Sequence, residues 1–196
     1  MTVPTAPAPA TPGPRGPRSK PSGVQLPPPV RKTMVVLHVI SSVSWLALML
    51  CVLAMSTTAL LTDDADTVRA LYRAMPVLGD TLILPLSLLS VLTGLALSLG
   101  TPWRIFKYRW ITVKFWLSLA AAAASIFQLT ARLHEAAHLA VTHPTGPVSA
   151  MHLGFVRYNL VIVPTIALTV YVINVWLSVF KPWGLRPRWV AKNRRS

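Results

Sequence analysis

Acidic residues are scarce in this chain: five Asp and Glu stand against 19 Lys and Arg in 196 residues. Charge of either sign is thin, at 12% of residues, where a soluble domain carries about a quarter. Whole stretches hold none, since no Asp, Glu, Lys or Arg occurs in residues 33–62, 81–102, 115–131 or 158–180. Three of these runs reach or exceed the roughly 20 residues that cross a bilayer core of about 30 Å, and 115–131 falls slightly short. A soluble chain of this size has too little volume to hide four such helices, so an ordinary globular domain is excluded. Cysteine is nearly absent as well. Cys51 is the single one, so no intrachain disulfide forms, and within the first run it is expected to behave as a small buried apolar residue.

What is present agrees with what is missing. Apolar residues make up 53% of the chain, and the mean hydropathy is +0.54. The net charge of +14 is unevenly spread. Arg15, Arg18, Lys20, Arg31 and Lys32 precede the first run. Arg104, Lys107, Arg109 and Lys114 lie between the second and third, and Lys181, Arg186, Arg188, Lys192, Arg194 and Arg195 follow the fourth. All five acids (Asp63, Asp64, Asp66, Asp80 and Glu135) fall on the other two connections or at their edges. Cytoplasmic loops retain Lys and Arg near span ends, so four spans with both termini inside satisfy every segment. The expected fold is therefore an all-α, four-helix transmembrane bundle, N-in and C-in, in a bacterial plasma membrane. The bilayer is its first partner, and the basic loops reach anionic lipid headgroups. No basic stretch carries a DNA- or RNA-binding signature, so nucleic acid is not expected as a partner. Homo- or hetero-oligomers remain open.

Residues 1–33 form a Pro- and Ala-rich basic tail that cannot bury a core and is expected to be disordered. It has no apolar h-region, so the first span would act as an uncleaved signal anchor. The transmembrane domain covers residues 34–184, with spans at 34–61, 78–100, 111–133 and 158–180, and residues 185–196 form a second basic tail. Thr62-Asp63-Asp64-Ala65-Asp66 reads as a polar turn that caps a short outer segment, residues 67–75, before Pro76. Asp80 falls in the first turn of the second span, where a carboxylate complements the helix dipole. Trp103, Phe106, Tyr108 and Trp110 alternate with Arg104, Lys107 and Arg109, the mixture that anchors a chain at a membrane interface. Pro164 predicts a kink near the outer end of the fourth span.

Four side chains are candidates for intramembrane chemistry: His38, Lys114, Asn174 and Asp80. His38 shares a helix face with Ser41, Ser42 and Trp45. Polar residues at membrane depth normally face the bundle interior. Asn174 sits at similar depth with Tyr171 and Ser178 on its face, and Ser98 and Lys114 point to the same side, which predicts a polar cluster in the cytoplasmic half. Ser87, Ser90, Gly94 and Ser98, and likewise Ser118, Ala121, Ala122 and Ser125, recur at helix-packing spacing. A second constellation is His134-Glu135-Ala136-Ala137-His138, in which two imidazoles share one helix face beside a Glu, as a zinc hydrolase requires. His143 or His152 would have to supply a third ligand. No cofactor is required by these patterns, and haem at His38 or zinc at the outer histidines are the alternatives. The leading reading is non-enzymatic: a small transport, sensing or membrane-partner protein. The rivals are a haem, metal or quinone-linked redox protein using His38 and a zinc-dependent hydrolase using His134, Glu135 and His138.

The stretch Leu37-His38-Val39-Ile40-Ser41-Ser42-Val43-Ser44-Trp45-Leu46 resembles the first span of bacterial integral membrane proteins grouped as the domain of unknown function 2269 family. Leu92-Thr93-Gly94, Gly100-Thr101-Pro102-Trp103, Trp110-Ile111-Thr112-Val113-Lys114 and Ser178-Val179-Phe180-Lys181-Pro182-Trp183-Gly184 resemble it in the same order. The likeness covers roughly residues 34–184 and implies a bacterial membrane bundle, with no activity attached. A looser likeness, in the Leu-His-x-x-Ser-x-x-x-Trp pattern alone, extends to copper-resistance D-type and protoporphyrinogen-oxidase-like membrane bundles. There the first-span His is tied to metal or haem, and the likeness implies such a role for His38.

Overall fold

Among the described residues, each charge-free run is helical over nearly all of its length. The computed structural model describes residues 26–100 and 108–182, and in it the chain is all-α, with four helices long and apolar enough to cross a membrane. They are α1 (Pro28–Leu61), α2 (Ala65–Leu99), α3 (Arg109–Thr142) and α4 (Val156–Phe180). The leader up to residue 25, residues 101–107 of the aromatic and cationic link, and the basic tail from residue 183 lie outside the described residues. Two loops cap one end of the bundle, the turn at 62–64 and the connection at 143–155. Leu26 and Pro182 lie at the other end, where the Leu26 amide donates to the Gly100 carbonyl at 3.1 Å. These are called the loop end and the termini end.

The helices outrun the expected spans. α1 starts at Pro28 and not near Met34, because Pro28 and Pro29 occupy its first two positions, where a missing amide hydrogen has no intrahelical partner to lose. α2 and α3 each run close to 35 residues, about 50 Å at 1.5 Å per residue, well beyond a bilayer core of about 30 Å. The break expected at Pro76 does not occur. The chain passes through it and widens into a π turn over Gly79–Ile83 before resuming as α-helix at Leu84. Pro76 and Pro85 both lack the amide that an α-helix interior needs, and a π turn between them absorbs the mismatch. α3 carries a second π segment, Ala124–Leu129, which the sequence pattern does not announce. The polar turn before α2 forms as expected: the Asp64 carboxylate caps the helix, accepting from the Thr67 amide at 3.2 Å and the Asp66 amide at 3.3 Å.

Burial follows helical spacing. On α1 the buried residues are Ser41, Trp45, Met49, Val52, Ser56 and Ala59, three or four apart. At the loop end, Val68, Tyr72 and Met75 of α2 meet Leu133, Ala136 and Ala140 of α3 in a core that also takes in Met151 and Leu160. Apolar residues also cover the outside: Val36, Ile40, Leu92, Phe127, Ile166 and Val179 are each more than half exposed. Such a band is costly in water and natural in lipid, where only backbone polar groups must be satisfied internally. Cys51 belongs to this exterior, and so corrects the expectation of a buried thiol.

The two halves of α2 and α3 behave differently. Their loop-end halves pack along each other, whereas past the π segments they part; there α2 packs mainly on α1, and α3 on α4. The two π segments touch at the level of the split. One extra residue in a turn rotates everything beyond it by about 100°, so a face that meets its neighbour on one side of the π turn is redirected on the other.

Candidate functional site

Where α2 and α3 part, a half-open cavity of about 480 Å³ lies between all four helices at the termini end. Most of its wall is apolar, as in small-molecule sites generally. Four of the residues expected to form a polar cluster line it together: His38 from α1, Ser98 from α2, Lys114 from α3 and Asn174 from α4. Of the neighbours drawn on the His38 face, Ser42 and Trp45 line the same cavity and Ser41 is buried outside its lining; Trp45 stacks on Tyr171 with ring centroids 6.4 Å apart.

His38 is fixed by α2. Its Nδ1 lies 3.0 Å from the Ser90 carbonyl oxygen and 3.1 Å from Thr93 Oγ1. A carbonyl only accepts, so Nδ1 carries the hydrogen, and in the neutral ring Nε2 is left with its lone pair. The ring fits because residue 94 is glycine: a Cβ there would meet His38 Cε1 at 3.0 Å. Ser42 Oγ donates to the His38 carbonyl at 2.6 Å and lies 2.9 Å from Ser90 Oγ, which therefore donates to it.

Across the cavity, Lys114 Nζ donates to Ser178 Oγ at 2.6 Å, and Ser178 Oγ passes its own hydrogen to the Asn174 carbonyl at 2.8 Å. Asn174 Nδ2 donates to Ser118 Oγ at 3.2 Å. Two polar atoms of the lining are buried and unpartnered, Asn174 Oδ1 and Trp45 Nε1. No Asp or Glu lines the cavity, so the Lys114 ammonium faces it without a carboxylate. The small-residue stripe on α2 does two things: Gly94 and Ser90 let α1 approach closely, as expected, and Ser87, Ser90, Gly94 and Ser98 also line the space. Helical spacing marks that stripe in the sequence, but not the gap beside it.

Asp80 does not join this group. It lies in the first π segment towards the loop end, where its Oδ1 is 3.1 Å from His134 Nε2, with both side chains about half exposed. The His-Glu-x-x-His constellation is dispersed by its partners: His134 turns to Asp80, Glu135 pairs with Arg132, and His138 is exposed. His143 and His152 meet edge to face at 6.1 Å between centroids. Among the described residues no three His, Cys, Asp or Glu side chains converge on one point.

The arginines of the loop end have structural duties that the sequence does not announce. Arg69 is buried, and its Nε donates to the His143 carbonyl at 2.8 Å, Nη2 to the Gly146 carbonyl and Nη1 to Asp66 at 3.0 Å. Gly146, at a φ of +91°, supplies a turn that few other residues adopt. Arg157 donates to the Leu60 carbonyl at 2.8 Å and Arg73 to that of Ala140 at 3.3 Å. No family model, curated protein or solved structure matches this chain.

Proposed function

We propose that this chain is a multi-pass protein of a bacterial plasma membrane, with both termini cytoplasmic, and that it works by binding a small molecule in the cavity at its cytoplasmic end. The reading is non-enzymatic, of the transport or sensing kind. One observation carries it: His38, Lys114 and Asn174, from three helices, converge on one largely apolar cavity. A few placed polar groups on an apolar wall bind ligands, and ionisable residues at membrane depth are expensive to keep otherwise. The orientation rests on the clusters of Lys and Arg at the termini end. Fifteen Lys and Arg fall in or beside the segments assigned to that side against four, Arg69, Arg73, Arg132 and Arg157, on the loop side. The resemblance to the domain of unknown function 2269 family supports the same placement. Native mass spectrometry of the protein released from mild detergent should show a bound small molecule, lost in Ala121→Trp, which fills the cavity. Wild-type protein that is bare in every preparation sinks the reading. Reporter fusions at Asp64 and Thr145 should report the periplasmic side, and a cytoplasmic signal at either would reverse the topology.

A redox role at His38 is the second reading, favoured by the Nε2 lone pair that the Ser90 carbonyl leaves free. The lining fits a quinone hydrogen-bonded to that nitrogen better than it fits a metal. Among the described residues it offers one His and no Cys, Met, Asp or Glu, so haem or copper would have a single protein ligand there. A reducible chromophore that co-purifies with the protein and is lost in His38→Leu would put this reading first.

A further inference from the structure

Resting on the binding reading above, we infer that the cavity takes a single-chain anionic amphiphile, with its carboxylate or phosphate on Lys114 Nζ and its chain along the apolar wall. The charge balance points to an anion. The Lys114 ammonium has three hydrogens, and the protein partner it reaches is the neutral hydroxyl of Ser178 at 2.6 Å. All five acids of the chain lie elsewhere: Asp63, Asp64 and Asp66 at the loop end, and Asp80 and Glu135 in pairs with His134 and Arg132. An ammonium on an apolar wall with no protein counter-ion is completed by an anion from outside, through a charge-assisted hydrogen bond.

The rest of the lining says what the anion is attached to. Beside Lys114, Asn174 Oδ1 is buried and unpartnered, so it accepts from a hydroxyl or a protonated acid next to the anionic group. Beyond these polar atoms the wall is Val39, Val43, Val91, Leu95, Leu119 and Val170. A free inorganic anion would leave that surface unused. Val39 and Val43 are about half exposed, and Leu119 is partly so, which leaves the cavity open to the surroundings for a chain to enter. Lys114 is five residues from the start of α3, and Ser178 two from the end of α4, so the acid sits at headgroup level and the chain runs inward. This is the orientation of an amphiphile in the leaflet.

The test uses the full-length protein in phosphatidylcholine nanodiscs and a palmitate bearing a photoreactive diazirine on its chain. Crosslinks should map to the cavity wall. Palmitate and hexadecyl phosphate should compete at concentrations roughly tenfold or more below hexadecanol, the uncharged analogue, as a charge-assisted contact requires, and inorganic phosphate should not compete. Lys114→Gln should abolish the preference for acid over alcohol, and Lys114→Arg should keep it. Equal competition by hexadecanol, or an unchanged preference in Lys114→Gln, overturns this inference while cavity binding stands. Competition by inorganic phosphate as effective as by palmitate overturns the amphiphile in favour of a free anion. Crosslinks that avoid the wall altogether overturn both this inference and the binding reading. Should Lys114→Gln fail to fold, the acid-to-alcohol ratio of the wild-type protein decides.

Discussion

The loop end and the termini end of this bundle are made of the same four helices and solve opposite problems. At the loop end, α2 and α3 lie against each other over Val68, Tyr72, Met75, Leu133, Ala136 and Ala140, and arginines tie the helices to neighbouring backbone. At the termini end the same two helices part, and hydroxyls, an imidazole, an amide and an ammonium stand around a cavity. Polar groups are spent on rigidity in one half and held available in the other. The π segments at Gly79–Ile83 and Ala124–Leu129 mark the border.

The comparison can be broken first at Arg69. Arg69→Met removes the donors to the His143 and Gly146 carbonyls, and hydrogen bonds made by a charged group contribute about 1.5–3 kcal/mol each. A loss of about 3 kcal/mol is expected, read as a large drop in thermal midpoint, with the cavity still binding whatever it bound before. A melt within a degree of the wild type would show that Arg69 does not hold the loop end. His38→Leu probes the other half and should cost only about 1 kcal/mol, the usual scale of an interhelical hydrogen bond in a membrane. A fall as large as that of Arg69→Met would erase the contrast between the two ends. The smallest effect concerns Asp64. The Thr67 hydroxyl, followed by the Thr67 and Asp66 amides, holds its carboxyl below the ordinary carboxylate value. Its contribution is then fully present above the unfolded value of about 4 and is lost as pH falls through the lower folded value. Asp64→Ala should therefore lower the thermal midpoint slightly at pH 7 and by progressively less as pH falls below about 4, and a deficit that does not shrink with pH would remove the cap as its cause.

The termini end was the more legible of the two in the sequence. Absence of charge delimits spans, and helical spacing assigns each polar residue a face and a depth, which suffices to gather His38, Ser98, Lys114 and Asn174. Spacing does not say which neighbour a face meets or how closely. That is why the stripe from Ser87 to Ser98 reads as packing, which it is, without announcing the space it also lines, and why Cys51 reads as buried although it faces outward. The loop end was largely hidden. Arg69 works through backbone carbonyls, which every residue possesses, so no partner residue betrays it. The contact between Asp80 and His134 joins positions 54 residues apart, and depends on a π turn that shifts the helical register. A register shift cannot be seen by a method that assumes a constant period.

Ser42, Ser87, Ser98 and Ser178 each give their hydrogen to a carbonyl one turn back on their own helix, at 2.6 to 2.8 Å. A hydroxyl so committed has no hydrogen left to give and meets a guest only through its lone pairs. The donors still open to a guest are Lys114 Nζ and Trp45 Nε1, and the open acceptors are Asn174 Oδ1 and the His38 Nε2 lone pair. Discrimination between guests then falls to those few atoms and to the apolar wall, with these serines contributing lone pairs alone.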